Sequence, residues 1–409
     1  MSTSIVRTAA LAAVVLPAIW AGAAPLSLDQ ATDLAVQRSQ LTASARASTA
    51  SAAETARAAG LQPDPLLSVG IDNLPATGSH RFSGEDMTMK RIGIAQQWLA
   101  ADKRAARRAA AQAVVGREAV MEQIGAAQTR LQTALAYVTA YHAGQALSLT
   151  MLGEAHAREE LEAGKGRLAT LAGNSAEVLG LSSALGAAED GSADLRQQQA
   201  AAQAVLQRWT GRAADELEVP RLPLVPALDA FVANHPAVLA RQPDIEVARQ
   251  ELRVARLDRR PDWTFEVSYG QRQGRPDLVS FGASVPLAVA PAERQDREAA
   301  ARQALVDKAE AELEEVRRAA AGEYASLSSD ARRLQERIER FQAGAVTALT
   351  QRTAATLAAY RANQASLPML FEARRAEVEA QRRLLGLQRE LALTQAQLAY
   401  KPISRGALP

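Results

Sequence analysis

The chain has 409 residues, a formal charge of +2 and no cysteine, which excludes disulfides, thiolate metal sites and a lipid-bearing cysteine at a mature N-terminus. That near-balance gives no electrostatic case for nucleic acid, and Arg and Glu are mixed in the manner of solvated helix faces. Only 4% of residues are aromatic, beside many Ala, Leu, Glu, Arg and Gln, which is a coiled-coil composition rather than that of a compact core.

Residues 1–23 read as a secretory signal. Arg7 supplies the positive start, Thr8 to Ala18 the apolar run, and Ala21-Gly22-Ala23 the cleavage pattern. No later segment is apolar enough for a transmembrane helix, so any membrane crossing by this chain would have to use strands. Ser27-Leu-Asp-Gln30 is a capping box and predicts a helix to about Gly60, ended by Pro63 and Pro65. Leu67, Val69 and Ile71 then alternate with Ser68, Gly70 and Asp72, as in a strand with one apolar and one polar face. After a loop, a second strand is expected from about Lys90 to Trp98, with Ile92, Ile94 and Trp98 outward.

From about Ala100 to Ala163 the pattern is one helix, about 95 Å long at 1.5 Å per residue. Gly164-Lys-Gly-Arg167 breaks it, and Gly186 to Ser192 is expected to interrupt the return helix. Pro220 to Pro226 is a Pro-rich connector. The order then recurs. The pair Pro261-Asp262 matches Pro63-Asp64, and Trp263, Phe265, Val267 and Tyr269 alternate with polar residues. Val279, Phe281, Ala283 and Val285 do the same on a further strand. A second helix of about 100 Å runs from about Glu293 to Ala362. It carries a seven-residue series at Val306, Leu313, Ala320, Leu327, Leu334, Phe341 and Ala348, a coiled-coil signature. Tyr360 to Ser366 breaks this helix before the return.

These features divide the chain into a signal peptide (1–23), a first repeat (24–225, strand pair 66–98, hairpin 100–210), a second repeat (226–400, strand pair 262–287, hairpin 291–400) and a tail (401–409). The strand alternation alone fits a wet-lumen barrel and a half-buried soluble sheet equally. Helices too long for one globule favour the barrel. Four strands cannot close one, since about eight is the minimum, and an open edge cannot sit in lipid. A membrane-embedded sheet of this kind therefore requires several copies, and three would supply twelve strands. The expected class is mainly α with a small β part.

The repeat of helix, strand pair and long hairpin resembles that of the TolC-like outer-membrane efflux proteins across nearly the whole mature chain. The runs Asp72-Asn-Leu-Pro-Ala-Thr-Gly78, Asp86-Met-Thr-Met-Lys-Arg-Ile-Gly-Ile-Ala-Gln96 and Lys103-Arg104 are similar to the first-strand-pair signature of the cobalt–zinc–cadmium resistance branch. The resemblance implies a homotrimer, with long hairpins forming an α-barrel in the periplasm beneath a twelve-stranded barrel in the outer membrane. It implies a periplasmic adaptor and a proton-driven inner-membrane pump of the RND type as partners, and export of divalent heavy-metal cations. Gly164, Lys165, Gly166 and Arg167, with Asn363, Gln364, Ala365 and Ser366, would be the adaptor-docking tips. The lipid-facing set would be Leu67, Val69, Ile71, Ile92, Ile94, Trp98, Trp263, Phe265, Val267, Tyr269, Val279, Phe281 and Val285. A departure is Asn363-Gln364, where the family commonly has a glycine.

No nucleophile, paired acid or metal set stands out, so neither an enzyme nor a cofactor is expected. His80, His142, His156 and His235 lack metal-ligand spacing, and Met87 with Met89 reads as packing rather than a soft-metal site. A duct for drugs or for copper or silver, and a soluble periplasmic adaptor, are the competing readings.

Overall fold

The computed structural model of the protein describes residues 25–79, 81–214 and 216–403. The signal reading of residues 1–23 and the end of the tail lie outside the described residues. Helix α1 (Leu28–Arg38) begins at the expected box: Gln30 N–H donates to Ser27 Oγ and Ser27 N–H to Gln30 Oε1, each at 3.3 Å. The helix does not run on to Gly60. It stops at Ser39, whose hydroxyl caps a second helix, α2 (Gln40–Ala58), by accepting from Thr42 N–H. A serine that offers its own acceptor to the backbone has split one expected helix into two.

Strands β1 (Leu66–Asp72), β2 (Met89–Trp98), β3 (Trp263–Arg272) and β4 (Leu278–Ser284) form one antiparallel sheet in that order. Val285, expected within the last strand, lies beyond its end; Pro286 has no N–H to continue a ladder. Between β2 and β3 the chain makes α3 (Ala101–Ala169), α4 (Ser175–Thr210), α5 (Leu228–Ala233) and α6 (Pro236–Leu257). At 69 residues α3 is about 100 Å long. It does not break at Gly164 to Arg167, and Gly186 to Ser192 does not interrupt α4, a single helix of 36 residues. The cost of about 1 kcal/mol per helical glycine is outweighed where packing holds the helix. After β4, α7 (Gln295–Phe341) continues through a π-turn (Gln342–Val346) into α8 (Thr347–Arg361), and α9 (Leu367–Tyr400) returns.

The described residues form separate apolar clusters rather than a single core. Leu26, Leu28, Tyr137 and Leu206 form one cluster where the chain start meets α3 and α4, and Val238, Ile245, Leu313 and Ala320 form a second between α6 and α7. A third, Leu161, Leu181, Leu367, Leu370 and Phe371, ties the far ends of the two hairpins together. Val306, Leu313 and Ala320 are buried at the expected seven-residue step, but Ala348 is exposed. The π-turn uses an extra residue and rotates the stripe out of phase.

The first two clusters are built alike. Leu26 pairs with Leu217 in an isolated parallel bridge, and Tyr137 Oη lies 2.6 Å from the Leu26 carbonyl and 2.9 Å from that of Glu218. Burial, aided by the Glu218 charge, pushes this phenol up to about 12. In the second half Tyr324 donates to the Pro226 carbonyl at 3.1 Å beside the buried Phe231. One tyrosine from each long helix thus pins the chain segment that enters the corresponding helix layer.

Candidate functional site

The sheet register collects the apolar residues of all four strands into rows. Leu67, Ile94, Val267 and Phe281 lie side by side, and so do Val69, Ile92, Tyr269 and Val279. This face is bare in the protomer: Val69 is 76% and Phe281 80% exposed. Ile71, Trp98, Trp263 and Phe265 share the exposure, with Trp98 opposite Trp263 and the Trp263 and Phe265 rings stacked 6.2 Å apart at the end nearest the helices. A row of large apolar side chains in water is unfavourable by roughly 25 cal/mol per Å². Aromatic residues grouped at one rim are what a membrane–water interface favours. With 7 to 10 residues per strand, at about 3.3 Å each, the face is about 23–33 Å tall.

The opposite face is polar. Ser68, Gly93, Ser268 and Ser280 form one row, and beside it Arg91 reaches both Asp72 (2.9 Å) and Glu266 (3.2 Å). Met89 fills the space above Gly270, where a β-carbon would collide with its sulfur. Glycines on this face let neighbouring strands carry longer side chains without crowding.

Sheet and helices are locked together at the start of α3. Lys103, only 3% exposed, donates to Asp262 Oδ1 at 2.9 Å and to the Arg260 carbonyl, and lies 3.7 Å from Asp258. Asp102 accepts from Arg260 at 2.7 Å in the reverse direction. The basic run at the head of α3 therefore serves as a clamp on the segment entering β3, a role its sequence alone did not disclose.

The other end of the molecule carries both hairpin turns. The first is at Thr170 to Asn174, not Gly164 to Arg167. Gly164 is buried inside α3, where a β-carbon would lie 2.6 Å from Leu181 Cδ1, so its function is close helix approach. Lys165 and Gly166 are exposed on the last turns, and Arg167 braces the true turn, bonding the Ala172 carbonyl at 3.2 Å and Glu177 at 3.3 Å. At the apex Leu171 takes a positive φ of 59° and is 93% exposed. Sequence reading missed this residue; leucine is a poor candidate for a left-handed turn position, and only the exposure reveals it. The second turn, Ala362 to Ser366, coincides with the expected Asn363, Gln364, Ala365 and Ser366. Asn363 replaces a glycine there by adopting φ 56°, a conformation asparagine tolerates well.

Behind the turns α3 and α9 are joined by charge. Glu160 is 1% exposed; its Oε2 meets Arg375 at 3.3 Å while Oε1 has no partner, and Glu159 meets Arg374 at 3.7 Å. Burial pushes the Glu160 carboxyl up, against the opposing pull of Arg375 and Arg374. A cavity of about 310 Å³ between α3, α4 and α9 opens beside it. His142 and His235 are both held below the usual histidine range, chiefly by burial. Among the described residues no group of three or more His, Asp or Glu could hold a metal ion, and no helix is long and apolar enough to cross a membrane.

Solved structures with this arrangement include outer-membrane proteins. The outer membrane protein VceC of Vibrio cholerae superposes with a TM-score of 0.72 at 17% identity, over 92% of this chain and 96% of that one. The Campylobacter jejuni CmeC outer membrane channel gives 0.75 at 12% identity, over 93% and 87%. The open state of the Neisseria gonorrhoeae MtrE outer membrane channel gives 0.64 at 16%, over 91% and 88%. By sequence, no protein family's profile and no curated protein matches the chain. The fold is that of the TolC-like outer-membrane channels, mainly helical with one four-stranded sheet.

Proposed function

We propose that this protein is the outer-membrane exit duct of a tripartite efflux system. Three copies pool their sheets into a twelve-stranded barrel in the outer membrane, and their hairpins close below it into a periplasmic tube. The observation that carries this reading is an open four-stranded sheet, apolar and bare on one face and polar on the other, mounted on helices of about 100 Å. The two free edges could not remain in lipid. At about 1–3 kcal/mol per unsatisfied backbone group, each seven-residue edge would cost on the order of 10 kcal/mol. Conduction is passive. A periplasmic adaptor grips the turns at Thr170 to Asn174 and Ala362 to Ser366, and an inner-membrane pump supplies the energy. The exposed Leu171 and Met369 at this end suit an apolar partner surface.

The cargo we assign is divalent heavy-metal cations such as cobalt, zinc and cadmium, on the strength of the Asp72 to Gln96 run. The lumen-facing Asp72 of that run is half-neutralised by Arg91, so it would attract cations without holding them, as a conduit needs. Deleting the gene and measuring growth across graded zinc, cobalt, cadmium, copper and an unrelated drug tests both levels. Sensitivity to the first three alone supports the metal cargo. Sensitivity only to the drug or to copper keeps the duct and overturns the cargo, and unchanged growth on all five counts against efflux itself.

A further inference from the structure

The three helices that meet behind the turns pack in two ways. Nearest the turns, Leu161, Leu181 and Phe371 fill the space between α3, α4 and α9. Further along α4, Ala184, Ala187, Ala188 and Gly191 follow the spacing of a single helix face, and each is small. Gly153 and Ala157 of α3 and Val378 of α9 complete the apolar wall. With no large side chain to close the gap, the cavity of about 310 Å³ remains. A β-carbon built on Gly191 meets nothing within 4 Å. Along α3 the cavity runs from Thr150 to Glu160, about 15 Å.

The charges on its rim are already matched. Arg374 meets Glu159 and Arg382 meets Glu379, each at 3.7 Å, and Glu154 holds Arg158 at 2.9 Å and Arg196 at 3.6 Å. Glu160 differs. Its Oε2 accepts from Arg375 at 3.3 Å, but its Oε1 has no hydrogen-bond partner among the described residues. Thr150 is 6% exposed and its Oγ1 is unpartnered too, while His156 Nδ1 has only Glu159 at 3.7 Å. A buried carboxylate oxygen without a donor is unfavourable, most of all when the group is charged. Burial accordingly raises this carboxyl, the mark of a charge with too little compensation. What the cavity lacks is a donor, best a cation, at the end of an apolar slot.

We propose that the cavity binds a small linear alkylamine, with its ammonium on Glu160 Oε1 and its alkyl chain along Ala157, Ala184 and Ala188. An ammonium carries three donors and no acceptor, so it satisfies Oε1 directly. A carboxylate ligand would find the rim arginines engaged and would face Glu160 itself. Each methylene buried against the alanine wall tightens binding about fourfold. A slot that ends on a buried charge holds its occupant, whereas a conduit must release what it carries. The bound amine bridges α9 to α3 and α4 behind the turns and resists separation of the hairpin ends. The cavity lies within one protomer, so its occupancy is readable on the full chain whether or not the duct reading holds.

Isothermal titration calorimetry of n-hexylamine into the full chain in detergent tests this, with n-propylamine, hexanoate and two variants alongside. Gly191→Leu fills the slot, and Glu160→Gln keeps the shape while removing the charge. Amine that merely enters micelles gives the same heat with every variant, so the difference from Gly191→Leu reports the site. The parent is expected to bind one hexylamine per protomer, about fiftyfold more tightly than propylamine for three further methylenes. Glu160→Gln is expected to weaken binding about ten- to a hundredfold, the worth of a hydrogen bond to a charged group. Saturating hexylamine should also raise the thermal midpoint of the parent and leave that of Gly191→Leu unmoved. Equal heats for the parent and folded Gly191→Leu overturn the site; Ala188→Leu blocks the same wall if Gly191→Leu does not fold. Unchanged affinity in Glu160→Gln, or tighter binding of hexanoate than of hexylamine, overturns the assignment of an ammonium.

Discussion

Gly164 and Gly166 lie two residues apart on α3, and the structure assigns them opposite responses to the same methyl group. Around Gly166 nothing lies within 4 Å of a built β-carbon. Alanine there gains helix propensity, about 1 kcal/mol at most and less near a helix end. At Gly164 the new carbon lies 2.6 Å from Leu181 Cδ1, in the cluster with Leu161, Leu367, Leu370 and Phe371 that ties the two hairpin ends together. Overpacking a filled core costs about 1–3 kcal/mol. The propensity gain is common to both sites and largely cancels in the comparison, so Gly164→Ala should be less stable than Gly166→Ala by about 1–3 kcal/mol. Thermal loss of helical circular dichroism measures this, and limited proteolysis reports whether the hairpin ends separate. Gly166→Ala should melt at or above the parent, with Gly164→Ala below it and cleaved faster near the turns. If Gly164→Ala matched or exceeded Gly166→Ala, Gly164 would not be a packing site.

The faces of the sheet make a second contrast. Phe281→Arg puts a charge on the apolar face at a cost of about 2–4 kcal/mol near a bilayer midplane and should cut the yield of assembled protein in the outer membrane, while Ser280→Arg on the polar face should assemble; equal yields would refute the assignment of faces. Lys103→Met strands Asp262 and the Arg260 carbonyl. Breaking a buried pair from one side costs about 3–5 kcal/mol, and the partial exposure of Asp262 and Asp258 lowers this to about 2–3. Adding Asp262→Asn should recover most of the loss, and no recovery in denaturant melts would show that Lys103 acts elsewhere. Because burial raises the Glu160 carboxyl, the folded protein binds that proton more tightly than the unfolded chain does. The contribution is complete below the ordinary carboxylate value and is lost as pH rises through the raised one. Glu160→Gln should therefore flatten the decline in hairpin stability between acid and neutral pH, and parallel pH profiles for the two proteins would contradict it.

Periodicity carried the elements with strong local signals. The alternation in Trp263 to Tyr269 marks a strand without any knowledge of its neighbours, and the step from Val306 to Ala320 marks a coiled-coil seam. Breaks were read less well, because glycine is ambiguous. Gly164 and Gly166 look like a turn in sequence, yet the helix runs through both, since α4 packs against the first and solvent tolerates the second. Leu171 carries no turn signal at all. Its left-handed backbone is imposed by the hydrogen bonds that close the loop, from Ala172 N–H and Gly173 N–H to the Arg167 carbonyl. The π-turn at Gln342 to Val346 was equally invisible, and it alone explains why Ala348 leaves the seam.

By itself the sequence determined which residues share a strand face, that the chain holds helices of about 100 Å and that four strands are too few to close a barrel. These follow from periods of two and seven and from chain length, all of them local properties. Only the tertiary structure decided that all four strands join one sheet with their apolar rows aligned, that Lys103 clamps the segment entering β3, and that both hairpin turns sit at one end over a shared apolar cluster. Each of those depends on residues more than a hundred positions apart, and no local period encodes which distant partner a side chain will meet.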